Sequence, residues 1–114
     1  MPRIGLGLFL AFYAAAACAG GYLDGHTLLE RFDARQRMIK DAGNLGSDAI
    51  DAGFYIGYVQ GAVESMALCV PDKLAASRAE EIVGKYLKTH ARELDRPASL
   101  LVKKALEEAY PCKR

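Results

Sequence analysis

The chain has 114 residues, which is enough for one domain, and 25% of them are charged. Its formal net charge is +1, and because Arg3 is the only charged residue among the first 19, residues 20–114 carry 14 basic and 14 acidic residues. Phosphate binding requires an excess of clustered Lys and Arg, so this balance argues against nucleic acids and anionic membrane surfaces as partners.

The first 19 residues have the pattern of a secretory signal peptide. Arg3 gives a positive start, residues 4–17 are uncharged and mostly apolar, and Ala17-Cys18-Ala19 supplies a small-x-small cleavage site before two glycines. The apolar run is too short to span a bilayer comfortably, and no charges follow it directly. We therefore predict a signal peptide at 1–19 and a mature domain at 20–114 that works in the periplasm.

The three cysteines are Cys18, Cys69 and Cys112. Cleavage after Ala19 removes Cys18 and leaves a pair, whereas lipidation of Cys18, in a weak match to a lipoprotein signal, would anchor the chain to a membrane. In both cases Cys69 and Cys112 lie in a compartment where disulfides persist. Their pairing would close a loop of roughly 44 residues and stabilise the fold by about 4 kcal/mol. Two free thiols are the alternative.

The mature chain reads as amphipathic segments separated by helix breakers. The first predicted helix begins with a capping box at Thr27-Leu28-Leu29-Glu30 and ends at Gly43-Asn44. The second begins at Ser47, with an acid in its first turn, and runs to about Leu68, before Pro71. Both segments have the spacing of helices.

Two further helices follow. The third begins with a second capping box, Ser77-Arg78-Ala79-Glu80, and the fourth begins at Arg96-Pro97 and ends before Pro111-Cys112. Their apolar residues recur with helical periodicity at Ala79, Ile82, Val83, Tyr86 and Leu87, and at Ala98, Leu101, Val102, Ala105, Leu106 and Ala109. No stretch alternates with the period of a half-buried strand. The sequence predicts an all-α bundle of about four helices, closed by one disulfide.

The second predicted helix carries a small residue at every fourth position. Gly53, Gly57 and Gly61 lie between Ala49 and Ser65 in this stripe. A glycine in a helix interior is roughly 1 kcal/mol less favourable than alanine, so three of them need a reason. A stripe of small residues lets another helix approach closely. We predict a helix-packing stripe, favour a helix of the same chain as its occupant, and keep a homodimer seam or a partner groove as alternatives.

The sequence contains no clear arrangement of catalytic or metal-binding residues. His26 and His90 lie at a helix start and a helix end, and neither has a fixed relation to a nucleophile. The cysteines and histidines lack the close paired spacing of a zinc site. The acid pairs Glu80-Glu81 and Glu107-Glu108 are assigned to solvated helix faces. We predict a protein that is not an enzyme and needs no metal or other cofactor.

A family resemblance rests on a series of short segments in a fixed order. They are Leu28-Leu29-Glu30-Arg31, Gly57-Tyr58-Val59-Gln60-Gly61, Leu68-Cys69-Val70-Pro71, Val83-Gly84-Lys85-Tyr86-Leu87 with His90, Pro97-Ala98, Leu101-Val102, Ala105-Leu106 and Tyr110-Pro111-Cys112. Together they resemble the Rap/Tai-type immunity domain over about residues 20–112. The resemblance implies an all-helical periplasmic protein that binds and inhibits a peptidoglycan amidase toxin of type VI secretion. Homodimers would fit such a family.

The chain departs from the usual pattern of that family at two positions. The pattern has two further cysteines where this chain has Phe32 and Tyr55. Both cysteines of that second disulfide are therefore replaced, and neither is left as a free thiol. This departure predicts that the first two helices are joined by packing alone. Two other functions stay open: a periplasmic envelope protein of the same fold without a toxin partner, and an acid-stress chaperone.

Overall fold

The computed structural model describes residues 22–41 and 46–113, so the predicted signal peptide and Cys18 lie outside the described residues. Four α-helices follow one another: α1 (Gly25–Lys40), α2 (Ser47–Ser65), α3 (Ala76–Thr89) and α4 (Ala98–Ala109). A short 3₁₀-helix, Ala91–Glu93, connects α3 to α4. The described residues contain no strand, and the predicted all-α class with four helices is confirmed.

The helix termini differ from the two predicted capping boxes. Helix α1 begins two residues before Thr27, because the side chain of Asp24 is its N-cap and accepts a hydrogen bond from the Thr27 amide at 2.9 Å. This bond is the main reason that the pKa of Asp24 is lowered. Helix α3 has Ala75 at its N-cap and no side-chain cap, so the role predicted for Ser77 is wrong.

Helix α2 ends at Ser65, three residues before the predicted end at Leu68. The hydroxyl of Ser65 donates a hydrogen bond to the Gly61 carbonyl, and Met66 is already extended. A serine that bonds its own helix backbone in this way competes with the regular helical ladder. The chain therefore leaves the helix before it reaches Cys69.

The start of α1 is fixed against the segment that precedes α4. The amide of Gly25 donates to the Arg96 carbonyl at 3.1 Å, and the amide of Ala98 donates to the Leu23 carbonyl at 2.7 Å. A Cβ atom at Gly25 would lie only 2.9 Å from the backbone of Leu94. Glycine is required here because the two backbones approach so closely.

The four helices enclose one apolar core. Its largest fully buried side chains are Tyr55, Leu28, Leu87, Leu101, Leu106, Val59, Val83 and Val102. Phe32 and Tyr55, the two positions where the family pattern has cysteines, contact each other with ring centroids 5.3 Å apart. An aromatic pair thus joins α1 and α2 at the place where the related pattern implies a disulfide.

A salt bridge also joins α1 and α2. The guanidinium of Arg37 donates two hydrogen bonds to the Asp48 carboxylate, at 2.9 and 3.0 Å. These hydrogen bonds lower the pKa of Asp48. The prediction that packing alone joins these helices is therefore wrong in part.

Candidate functional site

The candidate site is one side of α2, because this helix carries apolar and small residues on two opposite sides. The side that faces the core consists of the buried residues Ala52, Tyr55, Val59 and Ala62. The opposite side consists of exposed residues spaced by three or four, which we call the outer face of α2: Ile50, Gly53, Phe54, Gly57 and Gly61. A helix that is apolar on both sides is normally covered on both, whereas here residues 22–41 and 46–113 leave one side uncovered.

The predicted glycine stripe lies on this outer face. A Cβ atom built on Gly53, Gly57 or Gly61 would meet no atom within 4 Å in the part of the chain that the structure describes. Among the described residues no other helix of the chain lies against the stripe, since the core contacts α2 from its other side. The two alternatives, a homodimer seam and a partner groove, stay predictions.

Phe54 is a fixed aromatic side chain on the outer face of α2. Its side chain is 41% exposed, yet the guanidinium of Arg31 lies 3.9 Å from its ring centroid. On another side the ring of Tyr58 stacks against it, with centroids 6.0 Å apart. An exposed aromatic ring that neighbours already hold in place loses little conformational freedom when a partner covers it.

The charges around the outer face of α2 are unevenly distributed. No lysine or arginine occurs between Lys40 and Lys73, and this segment contains five acids: Asp41, Asp48, Asp51, Glu64 and Asp72. Of these five, Asp48 alone forms a salt bridge among the residues that the structure describes. The segment between Lys40 and Lys73 is therefore acidic in sequence, but Arg31 and Arg37 of α1 lie beside it in space.

A buried ionic network, which the sequence patterns did not indicate, connects α1 to α3. Arg35 is 4% exposed, and its Nε donates to the carboxylate of Glu80 at 2.8 Å, while its Nη1 donates to Glu81 at 2.7 Å. The assignment of Glu80 to a solvated face is wrong, since Glu80 is only 5% exposed. Helical periodicity could have found it, because Glu80 follows the buried Ala79 and lies three residues before Val83.

The surroundings of Arg35 favour its charged form. Burial acts to lower the pKa of Arg35, but the hydrogen bonds with Glu81 and Glu80 outweigh burial and raise it. The hydroxyl of Tyr55 donates to the backbone carbonyl of Glu80, which fixes the same turn of α3 from α2. Burial strongly raises the pKa of Tyr55, so its hydroxyl stays protonated and able to donate. The network is structural, since it lies inside the bundle.

The predicted cysteine pair is bonded in the structure. Cys69 and Cys112 form a disulfide with a Cα–Cα distance of 5.1 Å, within the usual range for such bridges. The bond joins the segment after α2 to the tail after α4. It therefore holds the exposed connection between α2 and α3 against the end of the chain.

The two histidines lie where the sequence placed them, but each has a local role. His26, in the first turn of α1, contacts Asp95 at 2.9 Å. His90 is the C-cap of α3, where its ring stacks on Tyr86 at 3.7 Å and its Nδ1 lies 2.8 Å from the Tyr86 carbonyl oxygen. A carbonyl oxygen can only accept, so Nδ1 carries the proton. The two histidines contact different residues and do not form a common site.

The described residues contain no cluster of three or more His, Cys, Asp or Glu side chains that could hold a metal ion. Within the same ranges, no helix combines the length and the hydropathy needed to cross a bilayer. An open groove lies between α3 and α4 and is lined by residues of mixed charge, among them Arg78, Lys85, His90 and Glu108.

Fold and surface thus define a small all-helical domain, closed by a disulfide, with an exposed apolar face of the kind found where proteins bind proteins. A family model described as Rap1a immunity proteins matches residues 16–112, which is most of the chain. The chain belongs to this family of immunity proteins. No curated protein and no solved structure matches it. Membership implies a protein effector as the partner and agrees with the predicted resemblance.

Proposed function

We propose that the chain is exported to the periplasm, where it binds and inhibits a peptidoglycan amidase delivered by a type VI secretion system. The observation that carries the proposal is the match to the immunity family over residues 16–112. The inhibitor works without catalysis: it covers the active site of the amidase and needs no cofactor.

Export is supported by the leader and by the disulfide. Residues 1–19 have the charge, apolar run and cleavage site of a signal peptide. The Cys69–Cys112 bond is of the kind that persists outside the reducing cytoplasm. An amidase reaches its substrate, the peptidoglycan, only in the periplasm, so an inhibitor must act in the same compartment.

The outer face of α2 supplies a surface for such a partner. Ile50 is 77% exposed, and together with Phe54 it presents two large apolar side chains beside a glycine stripe. Protein inhibitors bind mainly through a few large side chains that become fully desolvated. This chain therefore has an exposed surface suited to a tight complex, in addition to its family membership.

The test is co-expression of the complete chain with a candidate amidase that is itself exported. The complete chain should prevent lysis, and a matched chain without residues 1–19 should fail, because it stays in the cytoplasm. Lysis that continues in the presence of the exported, folded chain, with no complex detected for any candidate amidase, overturns the proposal. Mass spectrometry of the mature protein distinguishes an N-terminus at Gly20 from a lipidated Cys18.

A further inference from the structure

We propose that the Cys69–Cys112 bond is a site of thiol–disulfide exchange in the folded protein, and that its reduction releases two segments while the bundle stays folded. The segments are the α2–α3 connection, residues 66–75, and the tail, residues 110–113. The proposal goes beyond the proposed function, since it does not require an amidase partner. It depends on the exposure of the cysteines, on the backbone of the two segments and on the contacts that join the helices.

Both cysteines of the bond are exposed residues. Neither belongs to the apolar core, and both lie outside the helices, Cys69 after α2 and Cys112 after α4. Thiol–disulfide exchange requires a thiolate to reach one sulfur of the bond, so its rate depends on access. A dithiol partner therefore reaches this bond without unfolding the chain.

The two segments that the bond joins have few backbone hydrogen bonds. In the connection, the amide of Leu74 donates to the Pro71 carbonyl oxygen at 3.0 Å, but no amide of residues 67–73 donates to a backbone carbonyl of the described chain. The amides of residues 112–113 in the tail likewise donate to no described carbonyl. Exposed segments with few backbone hydrogen bonds open locally at a small cost in free energy. The bond is therefore a major constraint on both segments.

The contacts that join the helices do not involve either segment. Arg35 and Glu80 join α1 to α3, and the rings of Phe32 and Tyr55 join α1 to α2. Helix α4 contributes fully buried side chains to the core, among them Leu106. These contacts remain when the sulfur–sulfur bond is broken, so we expect the reduced chain to keep its four helices.

The connection keeps one hold on the bundle after reduction, and the tail does not. Leu68, Val70 and Leu74 of the connection are partly buried and pack against the core. The exposed residues 111–113 of the tail have no such contact among the described residues. Reduction should therefore release the tail more completely than the connection.

The reductant is a dithiol, of the kind that thiol–disulfide oxidoreductases carry. One thiolate of the dithiol attacks the sulfur of Cys69 or Cys112, a mixed disulfide forms, and the other cysteine leaves as a thiolate. The second thiolate of the dithiol then displaces the chain, so the dithiol becomes a disulfide. The chain gains two electrons and two protons as two thiols. The bonded state thus belongs outside the cytoplasm and the released state to reducing conditions.

The first experiment compares the oxidised and the reduced mature chain without denaturant, with dithiothreitol as the dithiol. Circular dichroism measures the helix content, and the heteronuclear NOE of each backbone amide measures its mobility. The helix content should not change, while the NOE should fall for residues 110–113 and, to a smaller extent, for residues 66–75. Loss of helix overturns the proposal, because the bond would then be needed for the bundle. Unchanged NOE values in either segment also overturn it.

The matched control is the double variant Cys69→Ser, Cys112→Ser, which cannot form the bond. It should resemble the reduced wild type in both measurements, and dithiothreitol should not alter it. A double variant that resembles the oxidised wild type contradicts the proposal, because the segments would then be held without the bond.

Trypsin gives a second readout, because Lys73 lies in the connection. Cleavage after Lys73 should be roughly tenfold faster or more in the reduced chain, since proteolysis follows the population of the open segment. Lys85 is the matched site, since it is equally exposed but lies within α3, and the reduced chain should be cut there more slowly than at Lys73. Equal rates at Lys73 in the two states, or a first cut after Lys85, overturn the proposal.

The rate of reduction tests whether exchange occurs in the folded chain. Dithiothreitol should reduce the folded chain at a rate within roughly tenfold of that in urea, because the bond is already exposed. A larger increase on unfolding overturns the proposal, since the bond would then open only after the bundle. None of these measurements uses an amidase, so their failure leaves the proposed function standing, and failure of the lysis assay leaves this proposal standing.

Discussion

Gly84 in α3 and Gly57 in α2 are both helical glycines, but their surroundings are opposite. A Cβ atom at Gly84 would lie 2.2 Å from the ring of Phe32, whereas one at Gly57 would meet nothing within 4 Å in the described part of the chain. Gly84 is needed for the interior of the bundle, where an aromatic ring rests on bare backbone. Gly57 is not needed for that interior, because no described atom approaches it.

The largest effect is expected from the ionic network beside this interior. Arg35→Ala leaves Glu80 buried without its partner, and we expect it to lower the free energy of unfolding by about 3–5 kcal/mol. Arg37→Ala is the matched control, since it removes an exposed arginine of the same helix and should have a much smaller effect. Urea denaturation of both variants measures the difference. Equal losses would show that Arg35 is not the buried partner that the structure describes.

A similar effect is expected from the disulfide, which stabilises by constraining the unfolded chain. Replacing both Cys69 and Cys112 by Ala should lower the free energy of unfolding by about 4 kcal/mol, given the sequence separation of 43 residues. Thermal unfolding of the wild type with and without reductant is the companion measurement. An unfolding temperature that does not change in either comparison would contradict this contribution.

Substitution of each of these two glycines by alanine should change the free energy of unfolding in opposite directions. Gly84→Ala forces a methyl group into the Phe32 ring. The overpacking should lower the free energy of unfolding by about 1–3 kcal/mol, which exceeds the stabilisation expected from the higher helix propensity of alanine. Gly57→Ala meets no neighbour and should raise the free energy of unfolding by roughly 1 kcal/mol. Parallel urea titrations compare the two. A loss of stability at Gly57 would mean that the outer face is covered within the chain after all.

The smallest effect concerns acid. The hydrogen bond from Lys104 lowers the pKa of Glu93, with a second bond from the Tyr86 hydroxyl. Because the pKa of Glu93 is lower in the folded state than in the unfolded state, its ionised carboxylate stabilises the fold at pH values above the unfolded pKa near 4.5. This stabilisation is lost as the pH falls through the lower pKa of the folded state. Glu93→Gln should therefore reduce the loss of stability between pH 5 and pH 3, roughly the range in which such carboxylates titrate. Glu108→Gln, which removes a nearby exposed acid, is the control, and thermal unfolding at both pH values is the measurement.

The fold could be predicted largely from local patterns. Helical periodicity at positions such as Val83, Leu87, Val102 and Leu106 indicated which residues are buried, and all four are fully buried. The apolar pattern alone did not identify Glu80 as buried, although its position between Ala79 and Val83 lies on the core side of α3. The reason is that only the partner, Arg35 on another helix, makes burial of that charge favourable.

The candidate site was predicted in its residues but not in its surroundings. The spacing of Gly53, Gly57 and Gly61 predicted that they share one face of the helix, and all three are exposed on one face of α2. The sequence favoured an occupant from the same chain, because small residues in a helix most often pack internally. Which side of α2 faces the core depends on Tyr55 and Val59, and the stripe lies opposite to them.

The sequence by itself determined the helices from local spacing and the family from the order of short motifs. It also determined the pairing of Cys69 with Cys112, because these are the two cysteines that remain outside the predicted leader. Only the tertiary structure decided that the Phe32 ring packs on Gly84, that Arg35 pairs with Glu80 and that no described residue covers the outer face of α2. Each of these depends on contacts between residues far apart in the chain. Local propensities do not encode such contacts, since they arise only when the helices pack together.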